Sequence, residues 1–124
     1  MDKEKKTVYA FASGYSSTSV VVPDSVEEIK EYAFCNAEKL TNITLSSNLK
    51  TIGEKAFANV YKVTELIIPI SVTYIGDFAF THWGYSSVQN IKFECSQDFA
   101  LMHFGPYFLG DIISNVVITY DYKG

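Results

Sequence analysis

Few side chains in this sequence are of the types that catalyse reactions or bind metals. The chain contains two histidines, His82 and His103, and two cysteines, Cys35 and Cys95. A nucleophilic site needs a serine or cysteine beside a histidine base and a third, orienting group, and a zinc site needs three or four convergent ligands. Neither histidine has such residues at a suitable spacing. We therefore predict no catalytic residue, no metal site and no cofactor, with a hydrolase using His82 or His103 as a remote alternative.

Two further local features could carry function. The run Asn42-Ile43-Thr44 fits the N-glycosylation pattern, but Ile43 is expected to point into the core, so a chance match is favoured over a used site. The segment around Trp83 and Tyr85 contains two more residues than its counterparts elsewhere in the chain, and such insertions often lie on a binding side. We expect Trp83 to fill a packed corner, whereas Tyr85 is as suited to contact a partner as to pack.

Composition restricts the class of protein and of partner. The chain has 124 residues, of which 48% are apolar, and a formal net charge of -4. One domain over residues 1–124 is expected, and the negative charge argues against a nucleic-acid partner. The apolar run Val8 to Ala12 is too short for a signal peptide, and no stretch suits a membrane span. A cytoplasmic location is therefore compatible with the sequence, as is a secreted one for a piece of a longer chain.

The elements that must position any site are copies of one motif. The copies span residues 20–42, 43–65 and 66–90. Four sets of apolar positions align between them: Ile29, Ile52 and Ile75; Ala33-Phe34, Ala56-Phe57 and Ala79-Phe80; Val26, Leu49 and Val72; and Leu40, Val63 and Val88. Repeats of this length are typical of solenoids, in which stacked coils share one core.

Weaker copies flank the three regular ones. Ala10-Phe11 precedes Ala33-Phe34 by 23 residues, but Lys3 and Lys6 stand where apolar residues are expected, which predicts a worn half-repeat. Downstream, the run 115–118 repeats the run 90–93 after 25 residues. We therefore divide the domain into a partial N-terminal repeat or cap (1–19), regular repeats (20–93), and a degenerate repeat with a C-terminal cap (94–124).

Each repeat is expected to contain a short strand and a helical return leg. Apolar residues alternate in Ile43-x-Leu45 and its counterparts, which predicts a strand with one face inward. In the leg from Glu54 to Val60 the apolar spacing suits about two turns of helix. Strands in identical register imply an α/β solenoid with a parallel sheet of about five strands and short helices or turns opposite. Cys35 and Cys95 would then lie roughly 14 Å apart, too far for a disulfide.

The repeat resembles a known family. The consensus L-x-x-I-x-I-P-x-S-V-x-x-I-G-x-x-A-F-x-x-C is matched closely by residues 63–81, and it resembles the BspA-like leucine-rich repeats of bacterial surface proteins. The match is strong over about residues 20–93 and weak on both sides. The resemblance implies a right-handed leucine-rich-repeat solenoid that recognises proteins, and it implies a secreted or cell-surface location with a role in adhesion.

The outer face of the sheet is the candidate binding surface. Its side chains stack in two columns: Ser19, Asn42, Glu65, Asn90 and Asn115 in one, and Val21, Thr44, Ile67, Lys92 and Val117 in the other. Exposed apolar residues in a row favour a partner surface, although β-propensity alone would also place them there. The predicted protein partner contacts Val21, Asn42, Thr44, Glu65, Ile67, Asn90, Lys92 and Tyr85. The alternative is a structural element that self-associates weakly through its N-terminal coil or stays monomeric.

Overall fold

The computed structural model describes residues 7–8, 18–83, 88–110 and 115–123. Short strands dominate, with one helix among the described residues. The elements are β1 (Thr7–Val8), β2 (Ser19–Val21), β3 (Glu28–Ile29), β4 (Asn42–Thr44), β5 (Thr51–Ile52), β6 (Glu65–Ile68), β7 (Tyr74–Ile75), β8 (Gln89–Phe93), α1 (Gln97–His103) and β9 (Val116–Thr119). All pairings between these strands are parallel, which confirms a parallel-strand solenoid.

A sheet of two-residue strands runs along one side of the stack, in the order β1-β3-β5-β7. Ile29, Ile52 and Ile75 pair with one another in register, as the repeat predicts, and the strands that hold them were not anticipated from the sequence. The glycine after each later isoleucine has a steric reason. A Cβ on Gly53 would lie 2.4 Å from the backbone nitrogen of Glu31, so only glycine lets adjacent coils approach this closely.

The return legs are turns, so the predicted helix from Glu54 to Val60 is wrong. Each regular leg contains two residues with left-handed backbone, such as Lys55 (φ 56°) and Asn59 (φ 61°), which no α-helix contains. The amide of Phe57 donates to the carbonyl of Ala79 in the next coil at 2.9 Å. The apolar spacing is satisfied equally by a helix or by these turns, and stacking lets the peptide groups bond between coils instead of within one.

The longer strands form the second side, but not as the single sheet of about five strands that the sequence predicted. The strands β2 and β4 form one sheet, whereas β6, β8 and β9 form another. From β2 to β4 and from β6 to β8 the predicted columns are found, since Asn42 pairs with Ser19 and Glu65 pairs with Asn90. The break between β4 and β6 creates the site described below.

Both ends of the stack depart from the predicted spacing. At the N-terminus Val8 pairs with Ile29, 21 residues away rather than 23, so Val8 takes the place assigned to Lys6. At the C-terminus Asn90 pairs with Val117 and Lys92 with Thr119, so the assignment of Asn115 and Val117 to the two columns was wrong by two residues. The α1 helix gives this last coil its greater length. Residues 9–17, including Ala10-Phe11, lie outside the described part.

The core is a continuous column that runs through the coils. Phe34, Phe57 and Phe80 stack with ring centroids 5.3 and 5.7 Å apart and nearly parallel planes. Trp83 is fully buried against Phe80, edge to face at 5.3 Å, which confirms the packed corner. Val88, however, is 53% exposed, so its predicted inward position was wrong, and the adjacent Gln89 is buried in its place.

Candidate functional site

A cleft separates β4 from β6 on the outer side of the solenoid. It encloses about 620 Å³, and its lining includes Ser19, Thr41, Asn42, Thr44, Ser47, Thr64, Glu65, Ile67, Pro69 and Glu94. Some Cα atoms of β4 and β6 lie within 8 Å of one another, yet the two strands are not hydrogen-bonded neighbours. Since β3, β5 and β7 remain paired on the other side, the cleft is a wedge that opens to the outer face.

The wall formed by β4 is held to the coil before it. Thr44 accepts a hydrogen bond from the backbone amide of Val22 at 2.8 Å. Just beyond the strand, the hydroxyl of Ser46 donates to the carbonyl of Val26 at 2.7 Å, and the amide of Asn48 donates to the carbonyl of Asp24. Ser46 stands where the neighbouring coils have proline. These bonds join the end of β4 to the coil before it.

The wall formed by β6 is held in the opposite direction. All four of its residues are paired with β8, and the side-chain amide of Asn90 adds a bond to the carbonyl of Thr64 at 3.1 Å. After the strand, Glu94 accepts from the backbone amide of Ile70 at 2.8 Å and donates its own backbone amide to Ile68. The strand pairing of each wall therefore runs away from the cleft, while the Ser71 hydroxyl still joins the two coils through the Leu49 carbonyl at 2.6 Å.

The outer face carries exposed apolar side chains, as predicted. Val21 is 73% exposed on β2 and Ile67 is 37% exposed on β6. Ile43, which lies between the exposed Asn42 and Thr44, is buried, so the alternation of the strand is confirmed. The side chains of the glycosylation pattern thus lie on the surface of the cleft, while the residue between them belongs to the core.

Acidic residues set the charge at the β6 side of the cleft. Glu65 forms an ion pair with Lys92 at 2.7 Å, and the hydrogen bond from Lys92 to Glu65 raises the pKa of this lysine, outweighing the effect of its desolvation. The Lys92 ammonium also lies 4.9 Å from the ring centroid of Tyr122. Glu94 adds a second carboxylate to the lining. Both ionised residues of the lining are therefore acidic.

The structure places some of the predicted partner-binding residues in the cleft and others beside it. Asn42, Thr44, Glu65 and Ile67 line the cleft. Val21, Asn90 and Lys92 lie on the strands that flank it, and Tyr85 lies outside the described residues. Sequence reasoning missed Glu94, although its place directly after the alternating run 91–93 is the signal that could have found it.

The two histidines occupy unrelated environments. His82 Nδ1 lies 2.5 Å from Asn59 Oδ1, so that nitrogen donates to the amide oxygen, and Asn59 donates in turn to Asn36 at 2.7 Å. His103 is exposed at the last residue of α1, with its ring 4.3 Å from that of Phe99. These contacts stabilise the turns of adjacent coils and a helix end.

The cysteines are free thiols in different surroundings. Cys35 is half-buried in a return leg and Cys95 is buried after β8. Burial raises the pKa of both thiols, while the charge of Lys55 acts in the opposite direction on Cys35. Over residues 7–8, 18–83, 88–110 and 115–123, no helix has the length and hydropathy to cross a membrane.

Comparisons with known proteins agree with the architecture. A family model described as a BspA type leucine-rich repeat region matches residues 6–107 with 6 copies. A crystal structure of a leucine-rich cell surface protein from Faecalibacterium prausnitzii A2-165 shares the fold with a TM-score of 0.54 and 18% identity, over 92% of this chain. The chain spans 35% of that protein's length. No curated protein sequence matches the chain. Because the repeat model matches most of the sequence, the chain belongs to the BspA-type leucine-rich repeat family.

Proposed function

We propose that this protein is a non-catalytic module that binds a protein partner across the outer face of its longer strands. The observation that supports this most is the cleft between β4 and β6, which gathers Asn42, Thr44, Glu65 and Ile67 at one place. Partner surfaces combine apolar anchors with polar groups at their rim, and Ile67 lies among hydroxyl, amide and carboxylate groups here. Repeat proteins of this family are typically non-catalytic, in keeping with this role.

A cell-surface location is part of the same proposal. The structural relative is named as a cell surface protein, and repeats of the BspA type match most of the present chain. Adhesion to another protein, by complementarity of shape and side chains, is the activity that such a location would serve. Its affinity should depend on a few anchors such as Ile67 rather than on the whole buried area.

Two substitutions on the face test the proposal. Ile67→Asp places a charge at the apolar anchor, and Thr44→Arg fills the cleft from the opposite wall. Both residues are exposed, so neither change should unfold the domain. Circular dichroism first shows that each variant is folded. The wild type and the variants are then immobilised, and the partner proteins that each retains from an extract are compared.

The matched control is Met102→Asp, which alters a residue 81% exposed on α1, outside the cleft. We expect at least one protein retained by the wild type and by the control to be lost from both face variants. The proposal is wrong if all four proteins retain the same set.

Self-association is the second candidate. It is favoured by the exposed apolar side chains of the outer face, such as Val21 at 73% and Val117 at 46%, since apolar surface of this kind also suits a second copy of the chain. Light scattering over a wide range of concentration distinguishes the two. A mass that grows with concentration supports self-association, whereas a constant monomer mass contradicts it.

A further inference from the structure

The peptide groups that face the cleft can be assigned from the pairing of its walls. Along a strand, successive residues direct their backbone groups to opposite neighbours. In β4 the amide of Asn42 donates toward β2 and the carbonyl of Thr44 accepts from β2. The intervening Ile43, and Leu45 after the strand, therefore direct their peptide groups toward β6. The β4 wall thus presents backbone donors and acceptors as well as side chains.

The β6 wall is assigned in the same way. The carbonyls of Thr64 and Ile68 accept hydrogen bonds from the coil of β8, so Glu65 and Ile67 direct their peptide groups toward β4. Two strands thus face each other across a gap, each with alternate peptide groups pointing into it. This is the arrangement of two sheet edges, and sheet edges pair readily with a further extended segment.

The charged and apolar side chains that line the cleft favour some extended segments over others. Glu65 and Glu94 place two carboxylates at the lining, and Glu94 makes no ion pair with any residue in the described part of the chain. Ile67 offers an apolar contact beside them. A lysine or arginine on the incoming segment would be attracted to the Glu94 carboxylate, since Glu65 is already paired with Lys92, and an alternate apolar residue would pack on Ile67.

The width of the cleft requires a small opening. A strand inserted between two others needs about 9.6 Å between them, which is twice the usual spacing, whereas the closest Cα atoms of β4 and β6 lie within 8 Å. The walls would therefore separate by about 2 Å or more. The strand pairings of β4 and of β6 run to the opposite side and are kept, whereas the two coils stay joined by the hydrogen bond from the Ser71 hydroxyl to the Leu49 carbonyl at 2.6 Å.

We propose that the cleft between β4 and β6 receives an extended segment of the partner protein that carries a lysine or arginine, and that this segment pairs with the peptide groups of the two walls. This inference rests on the proposed function, because it specifies how the outer face would hold its partner. Hydrogen bonds to the main chain would supply affinity for any extended segment, while the Glu94 carboxylate would supply the preference for a basic one.

The test uses synthetic peptides as probes for the full chain. One peptide alternates valine and threonine with two lysines on the threonine side. A second has glutamates in place of the lysines, and a third is the lysine peptide methylated at alternate backbone nitrogens. Binding is measured by fluorescence anisotropy. We expect the glutamate peptide and the methylated peptide each to bind at least about tenfold more weakly than the lysine peptide, since each loses attractive contacts.

A protein variant isolates the contribution of charge. Glu94→Gln removes one carboxylate but keeps an oxygen that can accept from Ile70, and it should weaken the lysine peptide by roughly threefold. Glu54→Gln removes the same charge from an exposed residue of a return leg and should leave binding unchanged. Equal binding of the lysine and glutamate peptides would overturn the preference for a basic segment.

Hydrogen exchange locates the bound peptide. The amides of Ile43, Leu45, Glu65 and Ile67 should exchange rapidly in the free protein and gain protection when the lysine peptide is added, whereas the amide of Asn42, already bonded, should change little. The inference is overturned if these four amides are protected without peptide, if the peptide binds without protecting them, or if no peptide binds. None of these outcomes decides the proposed function, which the capture experiment with face variants tests separately.

Discussion

Replacing Phe57 with alanine is expected to lower the free energy of unfolding by about 4 kcal/mol. The ring of Phe57 is fully buried, and it is the middle member of a stack, with Phe34 at 5.3 Å and Phe80 at 5.7 Å. Truncation removes the buried apolar surface, leaves a cavity, and breaks both stacking contacts at once. Because each coil contacts only its neighbours, the cavity weakens the contact of the central coil with both sides.

The size of this loss is large for a domain of this length. A single domain is stabilised by about 5–15 kcal/mol, so the substitution would remove a quarter or more of the total. The midpoint of thermal unfolding should fall by roughly 15 °C. Phe57→Leu keeps part of the apolar volume and should cost about 1–2 kcal/mol.

The assay is urea unfolding followed by circular dichroism and by tryptophan fluorescence. Trp83 is the only tryptophan, and its indole donates to the carbonyl of Phe57 at 2.8 Å, so its emission reports on this part of the stack. Met102→Ala, on the surface, serves as a control that should stay within about 0.5 kcal/mol of the wild type. A loss below about 1.5 kcal/mol for Phe57→Ala would refute the idea that the stacked column carries much of the stability.

Three further predictions follow from buried or crowded groups. Gln89→Leu leaves two buried carbonyls without their 2.8 Å donors and should cost about 2–4 kcal/mol in urea unfolding; an unchanged midpoint would contradict this. Gly76→Ala puts a Cβ 2.6 Å from the backbone nitrogen of Glu54 and should lower the free energy of unfolding by about 2 kcal/mol or more, measured by thermal unfolding. Burial raises the pKa of Cys95, so the unfolded chain loses this proton first and stability should fall above about pH 9. Cys95→Ala should flatten that fall.

Much of the fold was predictable because the repeat encodes local pairing. Ile29, Ile52 and Ile75 recur at one spacing in the sequence, and the structure pairs them in register. The alternation around Ile43 correctly separated the buried from the exposed face of β4. The return legs were mispredicted because their apolar spacing suits a helix and a set of left-handed turns equally; the recurrence of asparagine at Asn36 and Asn59, both with left-handed backbone, was the signal for turns.

The site was predictable only in part. The outward direction of Thr44 and Ile67 follows from period-two alternation along a strand, and it needs no tertiary information. The cleft between them does not follow, because the repeat treats all coils as equivalent. It lies where the longer-strand sheet divides, with β4 paired to β2 and β6 paired to β8, a division that no repeat position marks.

The sequence by itself determined a stack of coils, the residues that fill its core and the face that each strand turns outward, since these depend on spacing along one chain. Only the tertiary structure decided where the longer-strand sheet divides and which coils deviate in length. Those features depend on which adjacent coil each strand pairs with. The strand β6, for example, pairs along its whole length with β8 and does not pair with β4. A choice of this kind is settled only when all the coils are stacked together.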